Sequence, residues 1–147
     1  MTGEEGTTPG RGEGTYTLVV AFEGTATVEV GALGSIDFDA GWYAYTGSAF
    51  GPGGFARVER HRELAAGERD VRHWHVDYLL GHPAAGIDRV VRTPGADVEC
   101  VVSRALAAEF DRVPAFGASD CECESHLVAA TGFDSLVAAV ERAHERA

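Results

Sequence analysis

Four side chains in the first half of the sequence could together handle a phosphodiester: Tyr16, Tyr45, Arg57 and His61. An arginine guanidinium can bind two phosphate oxygens at once. His61 follows Arg57 by four positions, so a helix would place both side chains on one face, with Cβ atoms about 5–6 Å apart. A tyrosine hydroxyl, with an ordinary pKa of about 10, acts as a base only if a metal or cation lowers that pKa. These residue types and spacings favour cleavage of a phosphodiester by an activated water.

Glu99 adds the carboxylate that such a reaction needs. Hydrolysis develops negative charge that a divalent metal can stabilise. Mg²⁺ is commonly held by one or two carboxylates together with waters and substrate phosphates, and Mn²⁺ also suits oxygen ligands. We therefore expect Glu99, which follows the Pro-Gly break at 94–95, to ligate one Mg²⁺ or Mn²⁺. Each residue alone also has a structural interpretation: strand tyrosines pack, an Arg/His pair can be a solvated face, and a first-turn glutamate favours the helix dipole.

A second group of potential ligands lies further along the chain: His73, His75, Asp120, Cys121, Cys123 and His126. The His-x-His and Cys-x-Cys-x-x-His spacings could provide a tetrahedral zinc site. On a strand, alternate residues share a face, which would bring each pair together. The cysteines could instead pack as small buried hydrophobes. In a third interpretation, Asp120, Ser125 and His126, with His73 and His75, line the far wall of the groove that contains Arg57 and set substrate preference there.

The hydrophobic pattern predicts the scaffold for these side chains. Strands are predicted at 15–22, 26–30, 41–49 and 87–92. Helices are predicted at 55–64, 73–80, 97–110 and 133–144, with Asp97 as an N-cap, and loops at 31–41 and 114–124. This order predicts an α/β domain over 14–147, with a small mixed, mostly antiparallel sheet flanked by helices. Residues 1–13 are predicted to be a disordered lead-in.

The charge of the chain is strongly acidic. There are 23 acidic residues against 12 basic ones, all arginine, for a net charge of −11. This composition favours adaptation to high salt, and an ordinary acidic cytosolic protein is the alternative. An acidic balance normally argues against nucleic-acid partners, but arginines are concentrated at 57–72. The chain shows neither a membrane span nor a secretory signal, and its three cysteines predict reduced thiols in the cytoplasm.

Three short motifs carry a resemblance to a known superfamily: Gly-Thr-Tyr at 14–16, Tyr-Thr-Gly at 45–47, and Arg57-x-x-x-His61. Together they resemble the signature of the GIY-YIG nucleases. The blocks GWYAYTGSA, ARVERH, HWHVDYLL, Glu99-Cys100 and FGASDCECESHL look like one branch of that superfamily, the DUF123 family. Both tripeptides carry threonine where the superfamily has isoleucine, a mild change because both residues are β-branched.

This resemblance implies a GIY-YIG-like fold and a metal-dependent endonuclease that hydrolyses DNA, with a role in repair or processing. Tyr16 would then be the general base, and Tyr45 would position the water or the phosphate. Arg57 would bind the scissile phosphate, with His61 assisting by hydrogen bonding, and Glu99 would bind the metal. Two other functions stay open: a module that binds nucleic acid without cleaving it, and a zinc-stabilised structural domain.

Overall fold

A computed structural model of the protein describes residues 12–50, 53–68, 74–113, 116 and 125–147. Its strands are β1 (Gly14–Phe22), β2 (Ala26–Glu29), β3 (Ser35–Phe38), β4 (Trp42–Ala49), β5 (Ala85–Pro94), β6 (Asp111–Arg112) and β7 (Leu127–Ala130). The main sheet has five strands in the order β5-β1-β4-β7-β6, and its neighbours pair antiparallel. The predicted α/β class with a small antiparallel sheet is therefore confirmed.

Helices cover both faces of this sheet. They are α1 (Ala56–Ala65), α2 (His75–Leu80), α3 (Glu99–Ala107) and α4 (Phe133–Arg146). Val58 and Leu64 of α1 and Leu79 of α2 belong to one core cluster, and Leu106 of α3 and Leu136 of α4 belong to a second. The sheet lies between the two clusters, so the first face carries α1 and α2 and the second face carries α3 and α4.

Strand β1 is buried on both faces, as expected for a strand between two layers of helices. Tyr16 and Leu18 point into the core under α1 and α2, whereas Val19 points into the core under α3 and α4. Its neighbours are β4 and β5, with Leu18 opposite Tyr45 on one side and Tyr16 opposite Arg92 on the other. The prediction that the strands of Tyr16 and Tyr45 are neighbours is therefore confirmed.

The prediction of a loop at 31–41 was wrong. Residues Gly31–Leu33 form a 3₁₀ turn, and β3 then pairs with β2 in a separate two-stranded antiparallel sheet. Thr27 donates a hydrogen bond to Asp37 at 2.6 Å across this pair. The partly buried Val28 and Ile36 pack against the first core cluster. The three glycines and two aspartates of this segment are typical of a loop. The alternating burial pattern of β3 extends over only four residues, so the sequence did not predict the hairpin.

Two further predictions around the second half of the sheet needed correction. Helix α3 begins at Glu99 after Val98, and Asp97 makes no capping hydrogen bond there. Strands β6 and β7 were not predicted, because they contain only two and four residues and lie beside a predicted loop. The helices predicted at 55–64 and 133–144 are confirmed as α1 and α4.

Several predictions fall wholly or largely outside the described residues. They include most of the lead-in at 1–13 and most of the loop at 114–124. Within the described ranges, no helix is long and apolar enough to cross a bilayer. Cys100 is disulfide-bonded, so the prediction of reduced thiols was wrong for this residue; the other two cysteines lie outside the described ranges.

Candidate functional site

The centre of the candidate site is a hydrogen bond between Tyr16 of β1 and His61 of α1. The Tyr16 hydroxyl lies 2.7 Å from His61 Nε2, and each side chain is only 1% exposed. Helix α1 brings His61 there because Val58, His61 and Leu64 form its buried face. The sequence predicted both residues as members of one site, and the structure brings them into direct contact.

Glycines in both tripeptides make room for this arrangement. A Cβ built on Gly47 would lie 2.6 Å from Cζ of Tyr16, because the phenol ring crosses over β4 at that position. A Cβ on Gly14 would lie 2.9 Å from Cζ of Phe55, the residue before α1. Any larger side chain at either position would displace an aromatic ring that borders the site.

Tyr45 and Trp74 complete the surroundings of the His61 ring. Their ring centroids lie 6.3 Å and 6.1 Å from that of His61, both in edge-on geometry. Tyr45 is half-buried and also packs against Phe116 at 6.2 Å. Both predicted tyrosines therefore contact the His61 ring, and Tyr16 also hydrogen-bonds to it.

The environment keeps both members of the central pair uncharged. Burial, together with the positive charges of Arg57 and Arg60, lowers the pKa of His61 to about 3. Burial also raises the pKa of Tyr16 well above its usual value, with Tyr45 adding to the rise and Arg57 opposing it. At neutral pH the contact is thus a hydrogen bond between a phenol and a neutral imidazole.

Arg57 is held at the edge of the site by contacts that leave its charge uncompensated. Its Nη1 donates a hydrogen bond to the carbonyl of Ser48 at 2.6 Å, and its Cζ lies 4.8 Å from the centroid of the Trp74 ring. Among the described residues, no carboxylate lies within ion-pair distance of Arg57. A half-buried guanidinium without a counter-ion is suited to binding an anion.

Trp74 organises the arginines of α1, a role that the sequence did not reveal. The Cζ of Arg60 lies 4.3 Å from the centroid of the same indole. The backbone N–H of Trp74 donates to Asp77 Oδ2 at 3.0 Å, and Arg60 Nη2 lies 3.9 Å from that oxygen. The Trp74 ring thus contacts both guanidinium groups, and the fully buried carboxylate of Asp77 pairs with Arg60.

Glu99 enters the site from α3, the helix on the opposite face of the sheet. Its carboxylate oxygen Oε2 lies 3.0 Å from Nδ1 of His126, which also lies 3.1 Å from the carbonyl of Thr46. Both neighbours are acceptors, so Nδ1 of His126 carries the proton. The negative charge of Glu99 contributes to the raised pKa of Tyr16, so the carboxylate lies within electrostatic reach of the central pair.

Thr15, near the start of strand β1, positions the segment that leads to Glu99. Its hydroxyl donates to the carbonyl of Ala96 at 2.9 Å and accepts from the backbone N–H of Val98, also at 2.9 Å. These bonds anchor the segment that leads directly into the first residue of α3. Sequence reasoning treated the threonine here as a mild replacement for isoleucine, but its hydroxyl makes two hydrogen bonds that isoleucine could not make.

The threonine of the second tripeptide also uses its hydroxyl. Thr46 lies 2.9 Å from the hydroxyl of Thr17, which lies 2.7 Å from Nε2 of His144. Nδ1 of His144 lies 2.7 Å from the hydroxyl of Thr93. Burial lowers the pKa of His144 to about 4. This polar chain beneath the sheet was not predicted; the only signal was a run of threonines in strands that otherwise read as apolar.

The fit of a divalent metal rests on Glu99. Its side chain is 20% exposed, so solvent and an ion can reach it. Within the described ranges, no group of three or more His, Cys, Asp or Glu side chains could hold a metal ion. An ion bound there would take this one protein carboxylate and complete its shell with water and phosphate, as Mg²⁺ commonly does.

The second predicted cluster is only partly described. His75 packs against Phe116 at 5.7 Å between ring centroids, and the backbone N–H of His126 donates to the carbonyl of Phe116 at 2.8 Å. Both histidines therefore lie beside the same phenylalanine. His73, Asp120, Cys121 and Cys123 lie outside the described residues. The zinc and groove-wall interpretations of this cluster stay predictions.

Comparisons with known proteins identify one family. A family model described as a domain of unknown function, DUF123, matches residues 15–147. No curated protein and no solved structure matches the chain. The matched range covers nearly the whole chain and includes Tyr16, Tyr45, Arg57, His61 and Glu99.

Proposed function

The chain belongs to the DUF123 family, and we propose that it is a GIY-YIG-type endonuclease that hydrolyses phosphodiester bonds in DNA with one Mg²⁺ or Mn²⁺. The observation that carries the proposal is the contact between Tyr16 and His61 beside an arginine without a counter-ion. The glycines of both tripeptides accommodate aromatic rings that border this contact. The motif resemblance and this geometry support the same assignment by separate routes.

Arg57 binds the scissile phosphate in this proposal. Its guanidinium is oriented by the Ser48 carbonyl and the Trp74 ring, so little side-chain freedom remains to be lost when an anion binds. A phosphate would supply the negative charge that the described surroundings of Arg57 lack. A divalent ion held by Glu99 would supply positive charge for the oxyanion that develops during hydrolysis.

The central pair moves the proton. Because Tyr16 carries its own proton, it can accept a proton from water only as its own proton passes to Nε2 of His61. The hydroxide attacks phosphorus, the bond between phosphorus and the leaving oxygen breaks, and that oxygen takes up a proton from solvent. His61 then returns its extra proton to solvent, which restores the pair. The low pKa of His61 is caused in part by Arg57 and Arg60. A bound phosphate offsets those charges, raises the pKa of His61 and so favours the transfer when substrate is present.

The burial of the central pair favours a second candidate function. Tyr16 and His61 are each 1% exposed, so water and a phosphate reach the tyrosine hydroxyl only after neighbouring groups move. If that movement does not occur, the domain keeps a surface that binds nucleic acid and has no cleaving activity. The first candidate requires opening on substrate binding, whereas the second does not.

A nicking assay with supercoiled DNA and Mg²⁺, run over a range of salt concentrations, separates the candidates. We expect Arg57→Ala to reduce nicking by about 100-fold or more, and Glu99→Gln to have a comparable effect. Arg104→Ala is the matched control, because Arg104 is an exposed arginine in the last turn of α3. Equal nicking by all four proteins would overturn the endonuclease assignment. DNA binding by all without nicking by any would establish the second candidate.

A further inference from the structure

Arg92 lies on the strand next to Tyr16 and on the same face of the sheet. Tyr16 of β1 and Arg92 of β5 are direct partners in the antiparallel register, and such partners project their side chains to the same side. The side chain of Arg92 is exposed, and its Cζ lies 5.4 Å from the centroid of the Phe55 ring. Phe55 belongs to the same core cluster as Tyr16, which confirms the face.

The charge of Arg92 has no counter-ion among the described residues. Other arginines have one: Arg60 with Asp77, Arg62 with Glu59, Arg89 with Glu141, and Arg142 with Glu109. Arg92 also lines a shallow cleft with Glu141 and Glu145, but neither carboxylate lies within 4.0 Å of it. In a chain with a net charge of −11, an exposed arginine without a carboxylate partner is unexpected.

Two other described arginines, Arg104 and Arg146, have no ion pair within the described ranges for a simple reason. Arg104 and Arg146 lie in the last turns of α3 and α4, where the helix dipole favours a positive charge. Arg57 and Arg92 have no such explanation. Arg57 of α1 acts electrostatically on Tyr16, and Arg92 stands opposite Tyr16 on the edge strand β5.

We propose that Arg92 is a second phosphate-binding residue, so that the backbone of one nucleic-acid strand crosses the start of β1 between Arg57 and Arg92. The inference takes its ligand, a nucleic acid, from the proposed function, but it does not require that the protein cleaves DNA. Phe55 limits the positions that Arg92 can adopt, as Trp74 does for Arg57. Arg57 then holds the scissile phosphate beside Tyr16, and Arg92 holds a neighbouring phosphate of the same strand.

The salt dependence of DNA binding tests this inference without requiring cleavage. Binding of a labelled duplex and a labelled single strand would be measured by fluorescence anisotropy in EDTA over a series of salt concentrations. Each lost phosphate contact lowers the slope of log K against log salt by about 0.9 for duplex and about 0.7 for single strands. We expect that decrease for Arg92→Ala and for Arg57→Ala, and twice that decrease in the double variant.

Two further variants distinguish a charge effect from a structural one. Arg92→Lys keeps the charge and should restore most of the slope, whereas Arg104→Ala should leave the slope unchanged. An unchanged slope in Arg92→Ala, with a decrease in Arg57→Ala, would overturn the inference and leave the proposed function standing. A wild-type protein that does not bind either DNA would overturn both. Decreased slopes together with absent nicking would support the inference while rejecting the endonuclease.

Discussion

The hydroxyl of Tyr16 and Nε2 of His61 lie 2.7 Å apart in the core, and neither group is charged at neutral pH. Nδ1 of His61 is buried and has no hydrogen-bond partner among the described residues. An unsatisfied buried polar atom costs about 1–3 kcal/mol, so this nitrogen lowers the stability of the fold. A role for the pair in chemistry is the proposal that the following experiments test.

Removing the Tyr16 hydroxyl tests the role of this pair directly. Tyr16→Phe keeps the ring that packs over Gly47 but loses the proton acceptor. We expect nicking to fall by about 100- to 10,000-fold, the range for loss of an acid–base group. The free energy of unfolding should fall by only about 1–3 kcal/mol, since Nε2 of His61 loses its partner. Urea denaturation beside the nicking assay separates the effects; full activity in a folded variant would exclude Tyr16 as the proton acceptor.

Gly47 should tolerate no side chain. A Cβ there would lie 2.6 Å from Cζ of Tyr16 and 3.1 Å from Cε2 of Tyr45. We expect Gly47→Ala to destabilise the protein by about 1–3 kcal/mol through overpacking. Gly86→Ala is the matched control. Gly86 also lies in a strand, β5, and no described atom beyond its chain neighbours lies within 4 Å of a Cβ built there. Thermal unfolding of both variants is the measurement, and equal melting temperatures would contradict the close approach of Tyr16.

The protein should lose stability in mild acid because two histidines stay neutral while buried but take up protons once the chain unfolds. The pKa of His61 is about 3 and that of His144 about 4 in the folded state, against about 6.5 when unfolded. The unfolded chain therefore binds more protons below pH 6.5. The stabilising contribution is complete above that pH and is lost as the pH falls through the folded values. At pH 5 we expect a loss of about 2 kcal/mol for each histidine relative to pH 8.

A His144→Leu variant measures the part of this loss of stability in acid that is due to His144. It cannot gain a proton at position 144, so urea denaturation at pH 8 and pH 5 should show about half the stability difference of the wild type. The variant will be less stable overall, because Thr17 and Thr93 lose their partner. The comparison uses the difference between the two pH values within each protein. A difference equal to that of the wild type would show that His144 does not titrate in this range.

The metal requirement depends on one carboxylate. We expect Glu99→Gln to raise the Mg²⁺ or Mn²⁺ concentration needed for half-maximal nicking by at least about tenfold, since a neutral amide binds a hard cation more weakly than a carboxylate. Glu109→Gln is the matched control, because Glu109 only pairs with Arg142 on the surface. Metal titration of both variants is the measurement. An unchanged requirement in Glu99→Gln would remove this residue from the proposed metal site.

Much of the scaffold follows from local sequence. The β-branched run of β1, the alternating face of β4 and the apolar stripe of α4 specify their elements over several residues, so the predictions for them were confirmed. The short strands β3, β6 and β7 were missed because two to four residues carry too little periodicity to distinguish a strand from a loop. β7 pairs with the distant β4, and β6 pairs with β7, so these two strands are stabilised only after the main sheet has formed.

The sequence by itself determined which residue types stand at Tyr16, Tyr45, Arg57, His61 and Glu99, and the spacing that places Arg57 and His61 on one helix. Only the tertiary structure decided how they meet. It buried His61 against Tyr16, which sets their protonation states, since desolvation depends on the elements packed around a group. It also placed Arg92 opposite Tyr16 although 76 positions separate them, because strand register, and not sequence distance, decides which side chains share a face.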